Sequence, residues 1–280
     1  VDTASKQRSA VVQEATAEVQ PKMQSGPNPR QVTGWARLLR RACRHREYTR
    51  WTDQYCQPLH IIGRERLDGL HGPAIFIANH QSHMDTPVIM AALPDRLKDN
   101  FFFGAAADRW FVKGKRKLIL QPWYQSLVMG NFPIVRGGGS KTLDYARWLL
   151  VNGHNICIFP EGTRSTSSEL GEFRHGVSLL ARALGVPVVP VVLKGLRELR
   201  PKGAREITPG PVVASILDPV YLTAGMSVEE STTLLRNTMS KAFSQTLVFN
   251  EPQASRASSA TGWRARIKAS LSDRLLSTSR

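Results

Sequence analysis

The run PAIFIANHQSHMD, residues 73–85, decides how this chain folds. It opens with the apolar residues Ala74, Ile75, Phe76, Ile77 and Ala78, turns polar at Asn79, and reaches Asp85 where a helical stretch over 85–93 begins. β-branched and aromatic residues in a short unbroken apolar run mark a buried strand, and a strand that yields to a helix across a polar turn is the repeating unit of an α/β sheet. Ligands of such sheets bind at the carboxyl ends of the strands, where the next helix also presents free N–H groups and a partial positive charge. His80, Ser82, His83 and Asp85 stand in that place.

Outward from this run the same signal recurs. Apolar runs at 59–63, 101–105, 131–135, 155–159, 186–193 and 211–217 read as strands, and the stretches 85–93, 122–130, 140–152, 172–184 and 227–247 read as helices between them. The alternation predicts an α/β domain with a central mixed, largely parallel sheet flanked by helices and an N-terminal helical segment. Residues 1–34, with Pro21, Gly26, Pro27 and Pro29, are expected to be a linker, helical around 8–20, and the domain is expected to span 35–250. Over 35–51, Trp35, Leu38, Leu39 and Ala42 recur at helical spacing while Arg37, Arg40, Arg41 and Arg44 fall on the other side, which predicts a basic amphipathic helix with its arginines on the outer face, either a surface helix packed on the domain or a helix at a membrane interface. The tail 251–280 carries Trp263, Ile267, Leu271 and Leu275 among basic residues, a second candidate amphipathic helix or a solvated terminus.

Composition narrows the function classes. Lys and Arg total 38 against 22 Asp and Glu, a formal charge of +16, so the partners expected are polyanions: an anionic membrane surface or phosphorylated molecules. Aromatics are not interleaved with basic residues on a platform, which argues against nucleic acid. Cys43, Cys56 and Cys157 share no metal or disulfide spacing and fit small packing residues in a reducing compartment. No stretch approaches the roughly 18 apolar residues that cross a bilayer.

Three segments carry chemistry. His80 leaves a buried strand with Asp85 five residues on, so a carboxylate can orient its imidazole and hold the tautomer that exposes a basic nitrogen. Phe159, Pro160, Glu161, Gly162, Thr163, Arg164 and Ser165 follow another apolar strand and place acid, turn and base together. Arg136, followed by Gly137, Gly138 and Gly139, sits between a strand and a helix in a loop suited to an anion. An alternative is a metal-dependent hydrolase built on His80, His83 and Asp85, whose H-x-x-H-x-D spacing offers nitrogen and oxygen ligands. A second alternative is a non-catalytic membrane-binding adaptor.

In this order and spacing the segments resemble the motifs of the 1-acylglycerol-3-phosphate acyltransferase family of glycerolipid enzymes. Asn79, His80, Ser82 and Asp85 match N-H-x-S-x-x-D; Arg136 ends the second motif; residues 159–165 match F-P-E-G-T-R-S letter for letter; and residues 186–191 resemble the proline-punctuated fourth motif. The resemblance spans about residues 58–220 and leaves both flanks out. It departs at Ala106, Ala107, Asp108, Arg109, Trp110 and Phe111, where many members have a lysine pair, and positive charge follows at Lys113, Lys115, Arg116 and Lys117.

The resemblance implies an acyltransferase that needs no cofactor or metal. His80 and Asp85 are its expected catalytic pair, and Arg136, Glu161, Gly162, Thr163, Arg164, Asn79 and Ser82 its expected substrate-binding residues. The donor is expected to be acyl-CoA or acyl-carrier protein, the acceptor a lysophospholipid, and the setting the cytoplasmic face of a membrane to which the protein binds peripherally. Backbone N–H groups near the start of the helix after His80 are the expected oxyanion donors.

Overall fold

A computed structural model of the protein describes residues 26–111, 117–135, 143–165, 169–200, 206–223 and 225–246. The expected helix over 8–20, the loop at Arg136, the charges at Lys113, Lys115 and Arg116 and the tail 251–280 lie outside these residues.

Seven strands form one sheet: β1 (Cys56–Ile62), β2 (Ile75–Ala78), β3 (Phe101–Ala106), β4 (Asn131–Ile134), β5 (Asn155–Ile158), β6 (Val188–Lys194) and β7 (Gly210–Ile216). Their order is β1-β7-β6-β2-β5-β3-β4, parallel throughout except for the antiparallel β6–β7 pair. Five helices of eight residues or more are described: α1 (Gly34–Tyr55), α2 (Asp85–Ala92), α3 (Asp144–Val151), α4 (Gly176–Leu184) and α5 (Val228–Gln245). Because side chains alternate across a strand, the continuous apolar runs feed two cores. Phe76, Ala78, Phe101, Phe103, Val189 and Val191 pack on one face with α1 and α2. Ile75, Ile77, Phe102, Ile156 and Ile158 pack on the other with α3, α4 and α5.

Helical stretches expected at 85–93, 140–152, 172–184 and 227–247 correspond to α2, α3, α4 and α5 within a few residues at each end. The one expected over 122–130 is helical over 122–128, winding as a π-helix at Tyr124–Val128, and a 3-10 turn, Leu118–Leu120, precedes it.

Two expectations at the N-terminal side are corrected. The linker expected through residue 34 gives way to the domain earlier, in a 3-10 turn at Pro29–Val32. Gln31 is fully buried there, donating through Nε2 to the carbonyls of Ser126 (3.0 Å) and Asn131 (2.8 Å) and accepting from Tyr145 Oη (2.5 Å).

The second correction concerns α1, whose buried stripe is Ala36, Arg40, Arg44, Tyr48 and Thr52, one residue in four, so two of the arginines expected on the outer face point inward. Arg44 is 3% exposed and donates to the backbone carbonyls of Lys98 (2.5 Å), Phe101 (2.8 Å) and Met129 (3.4 Å). Arg40, 2% exposed, donates to the Gln31 carbonyl at 2.6 Å and lies over the Phe102 ring at 4.8 Å. A guanidinium is an array of fixed donors, and strand and turn carbonyls at the sheet margin supply acceptors that no apolar residue would satisfy. Trp35 (51%) and Leu38 (66%) are left on the exposed side.

Candidate active site

The site forms where β2 and β5 run parallel as neighbours. Ile77 pairs with Ile158, and three residues beyond each stand His80 and Glu161. The chain leaves β2 toward β3 on one side, while the connection from β5 reaches β6 on the other, so a crevice opens at the carboxyl ends between them. Asn79 closes the strand: its side chain donates to the Leu193 carbonyl of β6 (2.9 Å) and accepts that residue's N–H (2.8 Å), pinning the point of exit.

Asp85, the first residue of α2, is fully buried. Its Oδ2 lies 2.6 Å from His80 Nδ1 and accepts the N–H of Gln81 at 2.8 Å, while Oδ1 accepts the N–H of Ser82 at 2.9 Å. A carboxylate facing Nδ1 fixes the proton there, so Nε2 carries the lone pair. The ring stacks on Phe159, centroids 4.3 Å apart and planes 24° from parallel. Ser82 Oγ accepts the N–H of Met84 at 3.3 Å, a turn contact that leaves it no base of its own. The N–H groups of Gln81 and Ser82, on the turn before α2, are thereby taken up by the Asp85 carboxylate.

Glu161 is buried, and its two oxygens accept the N–H of His80 (3.0 Å) and of Gly171 (3.2 Å). Burial holds this carboxyl above the usual range against the lowering effect of those two N–H bonds. Gly162 follows with φ +70°, a left-handed turn that glycine adopts without strain, and a Cβ there would come within 2.6 Å of Arg174 Nε. The turn therefore seats Arg174 on its backbone, and Ser165 N–H closes the loop onto the His80 carbonyl at 2.8 Å.

Beside this constellation lies a cavity of about 1040 Å³. His80, Ser82, Gly162, Thr163 and Arg164 line it, and Val135, the residue before Arg136, does too; Asn79, Asp85 and Glu161 stand behind it as supports. Arg109, Arg174 and Arg200 join Arg164 on the polar lining, while Phe103, Met129, Tyr124, Ile119 and Trp51 form an apolar lining. One ligand with an anionic head and a long apolar part matches both sets. Arg174 and Arg200 carried no sequence signal, since only the folded chain brings residues so far from His80 to one wall.

The metal-ligand alternative does not fit this geometry. Asp85 is taken up by Nδ1 and backbone N–H groups, His83 faces Arg109, and among the described residues no three His, Cys, Asp or Glu side chains are grouped to hold a metal ion.

A family model described as Acyltransferase matches residues 58–194. The chain is 30% identical over 165 residues to a chloroplastic 1-acyl-sn-glycerol-3-phosphate acyltransferase of Brassica napus, covering 58% of this chain and 44% of that protein. It is 26% identical over 162 residues to the human 1-acyl-sn-glycerol-3-phosphate acyltransferase alpha, covering 56% of this chain and 53% of that one. The chain thus spans about half the length of the curated relatives it matches. Among solved structures, the 1-acyl-sn-glycerophosphate (LPA) acyltransferase PlsC of Thermotoga maritima superposes with a TM-score of 0.57 at 26% identity, covering 72% of this chain and 78% of that chain. Sequence motifs, sheet and relatives agree: residues 58–194 form an acyltransferase segment similar to that of the 1-acyl-sn-glycerol-3-phosphate acyltransferases.

Proposed function

We propose that the protein moves a fatty acyl group from an acyl thioester, acyl-CoA or acyl-carrier protein, to the free hydroxyl of a lysophospholipid, with 1-acylglycerol-3-phosphate as the acceptor. The observation that carries this reading is His80 at the cavity wall with Nδ1 held 2.6 Å from the buried Asp85 carboxylate. Nε2 takes the hydroxyl proton as the acceptor oxygen attacks the thioester carbonyl, and Asp85 stabilises the imidazolium that forms. The tetrahedral intermediate then expels the thiolate, which receives the proton back from Nε2. No acyl-enzyme is needed, because the base serves the acceptor directly. Arg164 and Arg136 hold the acceptor's phosphate, and Gly162 and Thr163 its glycerol.

The same reading places the work at the cytoplasmic face of an anionic membrane, bound peripherally. No helix among the described residues is long and apolar enough to cross a membrane. Support for surface binding comes from the charge of +16 and from exposed Trp35, Leu38, Leu118, Ile119 and Trp123. Incubating the protein with labelled acyl-CoA or acyl-carrier protein and a panel of lysolipids, with products identified by mass spectrometry, tests the proposal. Phosphatidic acid from lysophosphatidic acid is the expected product; release of free fatty acid alone, or no transfer to any lysolipid, overturns it.

A further inference from the structure

His83 is in the same turn as His80 but has no part in the proton transfer. Its Nε2 lies 3.2 Å from an Nη of Arg109. Arginine can only donate, so Nε2 is an acceptor and the ring is the neutral Nδ1–H tautomer. The Trp110 ring meets His83 edge-on at 5.7 Å between centroids and also takes the Arg109 guanidinium at 5.5 Å. Arg109 is anchored on two sides by neighbours that leave its positive charge unneutralised.

Charge around the turn agrees with that tautomer. Burial, and after it Arg164, Arg109, His80 and Arg200, push His83 down to about 4, so it stays an acceptor at neutral pH. Burial first, and after it Arg109 and Arg200, lower Arg164 as well, while Asp85 opposes them. Arg109, Arg164 and Arg200 thus line one cavity within electrostatic reach of one another, a concentration of positive charge suited to an anion.

We propose that His83 is a positioning residue that fixes the Arg109 guanidinium, through Nε2 and the shared Trp110 face, for binding a phosphate group of a substrate beside Arg164 and Arg200. This rests on the acyltransferase reading above for the identity of the substrates, both of which carry phosphate: the lysophospholipid head and the donor's phosphopantetheine or nucleotide end. Arg109 lies within the segment that departs from the family's lysine pattern, and the His83 contact gives that departure its partner.

The test uses the full chain with two variants. His83→Phe keeps an aromatic edge for Trp110 and removes the acceptor; His83→Gln restores an acceptor at similar reach. In steady-state titrations of each substrate at saturation of the other, His83→Phe raises the KM of the substrate whose phosphate is bound by about tenfold, the scale of a lost hydrogen bond to a charged group, while kcat falls by a smaller factor. His83→Gln recovers most of that loss. A rise confined to lysophosphatidic acid assigns the acceptor phosphate, and one confined to the donor assigns the donor's.

Calorimetric binding of lysophosphatidic acid and of CoA to the same three proteins reads the site without turnover, so an inactive wild type that still binds one of them in a His83-dependent way supports the positioning role while sinking the acyltransferase reading. Unchanged KM and affinity for both ligands in His83→Phe, a loss in kcat alone, no rescue by His83→Gln, or no binding to the wild type overturns the proposal.

Discussion

The carboxylate of Glu161 accepts the backbone N–H of His80 at 3.0 Å, so the loop after β5 grips the main chain of the residue that carries the base. Its second oxygen takes the Gly171 N–H, which leaves the acid acting as a brace between two loops. Glu161→Gln should put an amide N–H against one of those donors and leave a buried pair unmet, at about 1–3 kcal/mol. The expected result is a lower Tm together with a fall in kcat of about tenfold as the imidazole loses its exact aim, since small misplacements of a reacting group carry such penalties. A variant with wild-type Tm and kcat would show that the brace is dispensable.

His80→Ala should lower kcat by about 10²–10⁴-fold, the usual worth of a positioned general base, with the far-ultraviolet circular dichroism unchanged. Asp85→Asn should also be severely impaired, because an amide can no longer stabilise the imidazolium and competes for the wrong tautomer. Since the two residues act as a unit, the double variant should be little worse than His80→Ala. Additive losses in the double variant would separate Asp85 from the base and refute the pair.

Much of this site was legible because it is local. Strand ends and the spacing from His80 to Asp85 lie within one short run, and apolar continuity alone located all seven strands within three residues at either end. What escaped was set by partners distant in sequence. Arg40 and Arg44 read as outward-facing because a charged side chain is exposed by default. Their acceptors, the carbonyls of Gln31, Lys98, Phe101 and Met129, meet them only after folding. The contact of His83 with Arg109, 26 residues away, and the arrival of Arg174 and Arg200 at the cavity were hidden for the same reason.

Arg44 is therefore expected to matter for stability and not for surface charge. Arg44→Met removes the donors from three buried carbonyls and should lower Tm by several degrees, consistent with a loss of about 1–3 kcal/mol for unmet buried groups. Arg37→Gln on the exposed side of α1 should leave Tm within experimental error and weaken binding to anionic vesicles at low salt, as screened charges do. Equal thermal stability of Arg44→Met and wild type would show that the carbonyls find other donors.

Acid should destabilise the fold through buried His154 and half-buried His83. His154 is held at about 4 by burial and by the nearby Arg40 and Arg37, and its Nδ1 is buried without a hydrogen-bond partner; His83 is likewise held at about 4. Both values lie below the ordinary 6.5, so the folded protein refuses a proton that the unfolded chain accepts. Above about pH 6.5 both states are neutral and nothing is lost; between about 6.5 and 4 stability falls with pH, by at most about 1.4 kcal/mol per pH unit for each histidine; below about 4 the loss levels off. Glu161, raised in the fold, opposes this by taking up its proton first, and so softens the decline at the acid end. His154→Leu keeps an apolar edge against Phe102 and removes one titration. Denaturant midpoints measured from pH 7.5 to 4.5 should therefore fall less steeply for His154→Leu than for wild type, and parallel curves would mean that His154 takes up its proton in the folded protein as readily as in the unfolded chain.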